Sequence, residues 1–214
     1  MKTIIYNTEK YSFKSIVSKW FETSELSKLH LIKDYEHFER QNDQSTIWHK
    51  TFYDMIRTDG SFNDTYLRFL EDIIKPRFGE NIVYQKIPTF RVHLPGNIAV
   101  GEFHKDKHYR NVTWANKVRE INYFLPLTKA YDTNTIWVES EEDKRDFTPI
   151  ESQYGSCVEW DASNLNHGNK DNSTAHTRVS FDFRVIPLSR YVNSDHLTIN
   201  TKTPFGIGGY YEEI

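Results

Sequence analysis

The stretch "AVGEFHKDKH", residues 99–108, places His104 and Asp106 two positions apart in a run that reads as a β-strand entering a loop. Successive side chains on a strand face opposite ways, so an imidazole nitrogen and a carboxylate oxygen at this spacing point at the same point in space. Both are good ligands for a divalent cation. Two histidines and one carboxylate gripping a metal from one side leave its remaining positions open to reactants, so the pair calls for a third ligand elsewhere. His37 and Glu39 repeat the spacing, but they fall where the sequence reads as helix, and residues two apart on a helix do not share a face.

Downstream, "NLNHGNKDNSTAHTRVSF" offers His167 in a Gly/Asn-rich loop, His176 as an alternative, and then Arg178 and Ser180 in an R-x-S arrangement. Arg178 carries a permanent charge and a planar fork of donors. With the Ser180 hydroxyl on the same strand face, it makes a site for one end of a dicarboxylate; the structural alternative is an ion pair with Glu120, Asp182 or Asp161. Asn122 stands on another polar strand face, able to bond a cosubstrate or a ligand carboxylate, or to serve structure alone. Arg91, His93, His108, Asn134 and Trp137 are further candidates for a substrate pocket or for plain surface.

These residues need a scaffold, and the sequence supplies two textures. Before residue 80 the pattern is helical. In "SFNDTYLRFLEDIIKPRFGE" the apolar positions Phe62, Tyr66, Phe69, Leu70, Ile73 and Ile74 recur at helical spacing, with Ser61 as the cap and Pro76 and Gly79 at the end. Ile16, Val17, Trp20 and Phe21, then Trp48, Phe52, Met55 and Ile56, mark two more amphipathic helices joined by a charged stretch at 33–46. From about residue 82, "NIVYQKIPTFRVHL", "NIAVGEFHK", "REINYFLPL", "NTIWVES", "GSCVEWDA" and "TRVSFDFRVIP" read as short strands between turn signals.

Helices followed by many strands indicate a mainly β protein with N-terminal helices, either a β-sandwich or a jelly-roll barrel with a helical layer on one side. In "TRVSFDFRVIP", Val179, Phe181, Phe183 and Val185 make one face, and Arg178, Ser180, Asp182 and Arg184 the other. Taken alone, such a strand has its polar face in water. Repeated in "REINYFLPL", where Glu120 and Asn122 oppose Ile121, Tyr123 and Leu125, the division fits a β structure with a polar interior and helices packed outside. The whole chain, 1–214, reads as one domain: a helical layer at 1–80, a strand core at 82–191 and a tail at 192–214 whose order the sequence leaves open.

Composition agrees with a compact small-molecule protein. The 214 residues are 37% hydrophobic and 15% aromatic, with a formal charge of -3 and a pI near 6.3. That balance offers no basic field for nucleic acid. Nothing in the sequence has the length and apolarity of a membrane span or signal peptide, and the single cysteine, Cys157, fits a reducing compartment, so a cytoplasmic location is expected. The expected partner is a small-molecule substrate; the oligomeric state is left open.

H-x-D, a distal His and R-x-S together resemble the Fe(II)/2-oxoglutarate-dependent oxygenases, in particular the phytanoyl-CoA dioxygenase-like group. "PTFRVHLPGNIAVGEFHKD", "EINYFLPLT", "NTIWVES", "LNHGN" and "TRVSFDFRVIP" look like the oxygenases associated with streptomycin biosynthesis, over roughly residues 84–191. The resemblance implies a double-stranded β-helix, a cupin-like jelly-roll barrel. It also implies Fe(II) held by His104, Asp106 and His167, with His167 favoured over His176, and 2-oxoglutarate held by Arg178 and Ser180. Asp106 stands where the related halogenases have a small residue, which implies hydroxylation with O2 as oxidant. Mn²⁺, Co²⁺ and Ni²⁺ suit the same ligands. A non-catalytic cupin-like metal and dicarboxylate binder or sensor is the alternative.

Overall fold

The computed structural model describes residues 1–32, 44, 46–99, 102–194, 196–197 and 202–214. The rejected pair His37 and Glu39, and most of the charged 33–46 stretch, lie outside the described residues. In chain order the elements are β1 (Lys2–Ile5), α1 (Phe13–Trp20), α2 (Ile47–Thr58), α3 (Ser61–Phe69), β2 (Ile82–Gln85), β3 (Thr89–His93), α4 (Val112–Val118), β4 (Ile121–Pro126), β5 (Ile136–Val138), β6 (Thr148–Pro149), β7 (Ser156–Trp160), β8 (His167–Asn169), β9 (Arg178–Pro187) and β10 (Tyr211–Glu213). Among them no helix is long and apolar enough to cross a membrane.

The long strand β9 organises the molecule because its two faces differ in chemistry. Its apolar side chains, Val179, Phe181, Phe183 and Val185, are fully buried against the helical layer. There Phe181 meets Phe13 at 5.0 Å and Phe62 at 5.3 Å between ring centroids, while Phe52 of α2 stacks on Phe90 of β3 at 4.0 Å. Each such ring removes a large apolar area from water, so a few aromatic positions suffice to fasten three helices to one sheet face. Along its length β9 pairs with β4 on one side, and on the other with β2 near its C-terminal end and β3 near its N-terminal end. The expected single run "NIVYQKIPTFRVHL" is therefore two strands, interrupted around Pro88, which has no N–H to give to a ladder.

The main sheet runs β1-β7-β4-β9-β2-β10, with β3 also on β9, and a three-stranded sheet runs β6-β5-β8. Phe124 of β4 and Val158 and Trp160 of β7 pack with Ile136 and Val138 of β5 between the two sheets. Among the described residues the ladders form these two sheets and no closed barrel. Of the expected strand "NIAVGEFHK", the described residues 97–99 and 102–105 carry no ladder: His104 makes an isolated bridge to His167, and Asp106 opens a 3-10 turn, Asp106–Tyr109.

Three further elements depart from the sequence reading, and a fourth, the tail, was left open by it. The N-terminus is not helical from the start: Lys2–Ile5, four residues and too short to show a period, forms β1 on the edge of β7. Gly60, not Ser61, is the N-cap of α3, and Asp59 Oδ1 accepts from the Ser61 N–H at 2.9 Å; beyond Phe69 the helix continues as a wider turn over Leu70–Ile74 and ends at a 3-10 turn containing Pro76. Helix α4 was not foreseen, although Asn111 caps it by accepting from the Trp114 N–H at 3.0 Å. The tail carries an ordered strand, with β10 paired to β2.

Candidate metal centre

His104 and His167 face each other across two backbone hydrogen bonds, His104 N–H to the His167 carbonyl at 2.8 Å and the reverse at 2.9 Å. His167 was expected on a loop; it is the first residue of β8, paired with Val138 of β5. Gly168 allows the approach, because a Cβ there would stand 2.8 Å from the Phe103 ring and 3.1 Å from the Phe103 backbone. Asp106 reaches the same place by a different route, its N–H bonded to the Ala162 carbonyl at 2.9 Å. Strand alternation thus points to residues that do converge, but for a reason the backbone does not use.

Each imidazole is oriented from behind. His104 Nδ1 donates to the Glu102 carbonyl at 2.8 Å and His167 Nδ1 to the Leu165 carbonyl at 2.9 Å. A carbonyl can only accept, so in each ring's neutral form the lone pair lies on Nε2, directed inward. Asp106 Oδ1 lies 3.4 Å from His104 Nε2 and 3.7 Å from His167 Nε2, and the three ligand atoms all fall within 4.8 Å of one another. Donors sitting about 2.1 Å from one ion on one face of an octahedron are about 3 Å apart. The residues fit a divalent cation with small adjustments.

The other oxygen, Asp106 Oδ2, is held by Arg184, with Nη2 at 2.7 Å and Nε at 3.2 Å, and by Asn122 Nδ2 at 3.4 Å. Burial opposes the charge on Asp106, but Arg184, the His104 contact and Arg110 outweigh it and hold the carboxyl well below the usual carboxylate range. Burial also lowers His167 to about 4, with Asp106 pulling the other way. At neutral pH the pair is carboxylate and neutral imidazole, the protonation states that bind metal.

Beside the triad, Arg178 is buried and donates through Nη1 to Ser180 Oγ at 2.9 Å, on the same β9 face as Asp182 and Arg184. Of the carboxylates that could have claimed Arg178, Glu120 is engaged by Arg110 at 2.6 Å and by the Tyr211 hydroxyl. The triad, Asn122, Arg178, Asp182, Arg184 and Arg91 line one small cavity of about 50 Å³ with Trp160, Ile136 and Asn169. A larger hollow of about 550 Å³ opens near the ends of β1, β4 and β7, with charges of both signs in its lining and no ligand trio. Chemistry rather than volume makes the smaller one the candidate site.

The remaining sequence candidates separate cleanly. Arg91 faces the cavity, with Nε 3.8 Å from Asp182 Oδ1. His93 is fully buried, its ring nitrogens 3.2 Å and 2.8 Å from the Asn134 and Asn97 carbonyls, and Asn134 is buried with Oδ1 accepting from the Tyr131 N–H. Trp137 lies under Lys170 Nζ at 3.1 Å, His108 is exposed, and exposed His176 bonds the Tyr131 hydroxyl away from the triad. Arg184 and Trp160 were not singled out from sequence. Arg184 had a signal, its place on the polar face of "TRVSFDFRVIP"; Trp160 had none beyond its strand.

The fold is similar to that of a solved structure, the apo form of the non-haem monooxygenase ThoJ, which superposes over 91% of this chain and 78% of its own with a TM-score of 0.50 at 11% identity. No family model matches the sequence. The streptomycin biosynthesis protein StrG of Streptomyces griseus is 36% identical over 176 residues, 82% of this chain and 80% of StrG. The chain belongs to the StrG family, as its motifs foretold.

Proposed function

We propose that this protein is an Fe(II)/2-oxoglutarate-dependent dioxygenase that hydroxylates a small polar metabolite, with a jelly-roll-type arrangement of its two sheets. The observation that carries the reading is the convergence of His104 Nε2, His167 Nε2 and Asp106 Oδ1 on one face, with the Arg178–Ser180 pair at the start of β9 lining the same cavity through Arg178. Bound iron would supply the oxidation itself, coupling conversion of 2-oxoglutarate and O2 to succinate and CO2 with replacement of a substrate C–H by C–OH.

The chain's own residues do the rest. His104, Asp106 and His167 hold the ion from one side, and Glu102 and Leu165 carbonyls fix the two rings. Arg178 and Ser180 bind the far carboxylate of 2-oxoglutarate, turning its other end toward the triad. Burial of Arg178 strengthens that contact by keeping water from it. Asn122, read from sequence as a partner of the cosubstrate or of a ligand carboxylate, bonds Asp106 and shapes the cavity wall. Kinship with a streptomycin biosynthesis protein supports a biosynthetic setting.

The test is anaerobic addition of Fe(II) and 2-oxoglutarate, which should produce a visible metal-to-ligand charge-transfer band; admission of O2 should then yield succinate. A band with no succinate across a metabolite panel would favour the cupin-like binder, and absence of the band would refute both readings.

A further inference from the structure

Residues 139–147, the connection between β5 and β6, form a mostly exposed acidic loop with no glycine. The loop turns back by placing Asp143 and Arg145 at φ of 65° and 58°, a left-handed conformation that residues with a Cβ adopt at a cost. Contacts must therefore hold its shape. Ser140 donates through its N–H and its hydroxyl to Asp146, at 2.9 Å and 2.6 Å, which closes the base. Glu139 is fully buried there, and its two oxygens accept from the N–H groups of Asn166 at 2.6 Å and Arg145 at 3.1 Å.

What the loop holds is the set of residues that flank the metal ligands. Lys105, between His104 and Asp106, is 6% exposed, and its ammonium lies 3.0 Å from Glu142 Oε1 and 2.7 Å from Asp143 Oδ1. Lys107, on the other side of Asp106, reaches the same Glu142 oxygen at 2.6 Å. Phe147 meets the ring of Phe103, the residue before His104, edge-on at 4.6 Å between centroids. Asn166, joined to Glu139, precedes His167. Each of the three ligands thus stands next to a residue fastened to this one loop.

These ion pairs are arranged to transmit position. Residues 102–105 carry no ladder, and the N–H groups of Asp106 and Lys107 make single bonds to the Ala162 and Ser163 carbonyls. The two lysine side chains are shielded from water, while Glu142 is half exposed. A shielded ammonium needs its partner, so the chain on both sides of Asp106 is tied to one carboxylate.

We infer that the 139–147 loop is an electrostatic brace of the metal centre, and that Glu142 is a positioning residue acting on the ligands through Lys105 and Lys107. The inference rests on the metal site of the oxygenase reading above and extends it to a residue outside the cavity.

The test is anaerobic Co(II) titration of the full chain, followed by the visible d–d absorption of the ion. The sign of one change separates a brace from a field. Lys105 is a positive charge near a cation site, so by Coulomb repulsion alone Lys105→Met would tighten Co(II). As part of a brace, its loss should weaken Co(II) about tenfold, the lower end of what groups behind a ligand supply, and alter the absorption spectrum. Glu142→Gln, at a half-exposed position, should do the same. Glu141→Gln, which removes an equal charge paired with Lys144 at 2.7 Å, should match the parent in affinity and spectrum. Should Lys105→Met not fold, Glu142→Gln against Glu141→Gln decides. Coupling between two sites is reciprocal, so saturating Co(II) should slow tryptic cleavage after Lys144 and Arg145 about tenfold in the parent and little in Glu142→Gln. Unchanged or tighter binding in Lys105→Met, or equal losses in Glu141→Gln and Glu142→Gln, overturns the inference. So does cleavage that Co(II) leaves unaffected. A parent that binds no Co(II) refutes the metal site, and the inference with it.

Discussion

Arg184 grips the outer oxygen of Asp106 through two nitrogens, at 2.7 Å and 3.2 Å, and so leaves the inner oxygen facing both histidines. The same guanidinium donates through Nη1 to the Tyr210 hydroxyl and to Gln85, which ties the ligand to the C-terminal arm. Groups behind a metal ligand commonly govern affinity almost as strongly as the ligands. Arg184→Ala should therefore weaken Fe(II) or Co(II) binding about 10–100-fold, read by anaerobic titration, while His104→Ala should abolish it. Equal affinity in Arg184→Ala and the parent would show that Asp106 needs no orientation.

Arg178 should behave differently, because it lies beside the ligands and not behind them. Arg178→Ala is expected to leave metal affinity in place and weaken 2-oxoglutarate about tenfold to a hundredfold, the worth of a charge-assisted hydrogen bond pair. Titration of the charge-transfer band with 2-oxoglutarate at fixed iron separates the two effects.

Gly168 makes a purely steric prediction. A methyl group at 2.8 Å from the Phe103 ring and 3.1 Å from its Cα must push residue 103 away, and the bridge between His104 and His167 runs through the adjoining residues. Gly168→Ala should keep the fold, as judged by circular dichroism, and lose most metal binding. Tight binding in that variant would mean that the bridge does not set the separation of the histidines.

Acid should destabilise the metal-free protein through its buried histidines. Burial, with Arg178 nearby, lowers His93 from 6.5 to about 3, and burial lowers His167 to about 4. As pH falls below 6.5 the unfolded chain takes up protons that the folded chain refuses, so stability drops across the window from 6.5 toward 4. Glu120 and Asp182, raised by burial, work in the opposite sense. His93→Gln isolates one contribution: in denaturant melts the parent should lose roughly 2 kcal/mol more than the variant between pH 6.5 and about 4.5. Parallel pH curves would show that His93 is already protonated at neutral pH, shared between its two carbonyls.

What could be read in the residues was whatever repeats with a period. The alternation of β9 announced both the aromatic face that packs on the helices and the polar face that lines the cavity, and the helical spacing of Phe62, Tyr66 and Phe69 announced α3. What escaped was set by contacts distant in sequence. Residues 102–106 carry strand-like alternation yet spend their hydrogen bonds on 162 and 167, so His104 and Asp106 converge by a bridge and a turn. The tail has no period, and its place comes from pairing with β2 and from Tyr210 and Tyr211 reaching Arg184 and Glu120. Trp160 reaches the cavity from β7, across from Asn122 of β4, and no local pattern records that.

Trp160 borders both the small metal-bearing cavity and the 550 Å³ hollow beyond it. One indole is thus shared by the walls of the two hollows. A substitution at this single position therefore alters the lining of both at once.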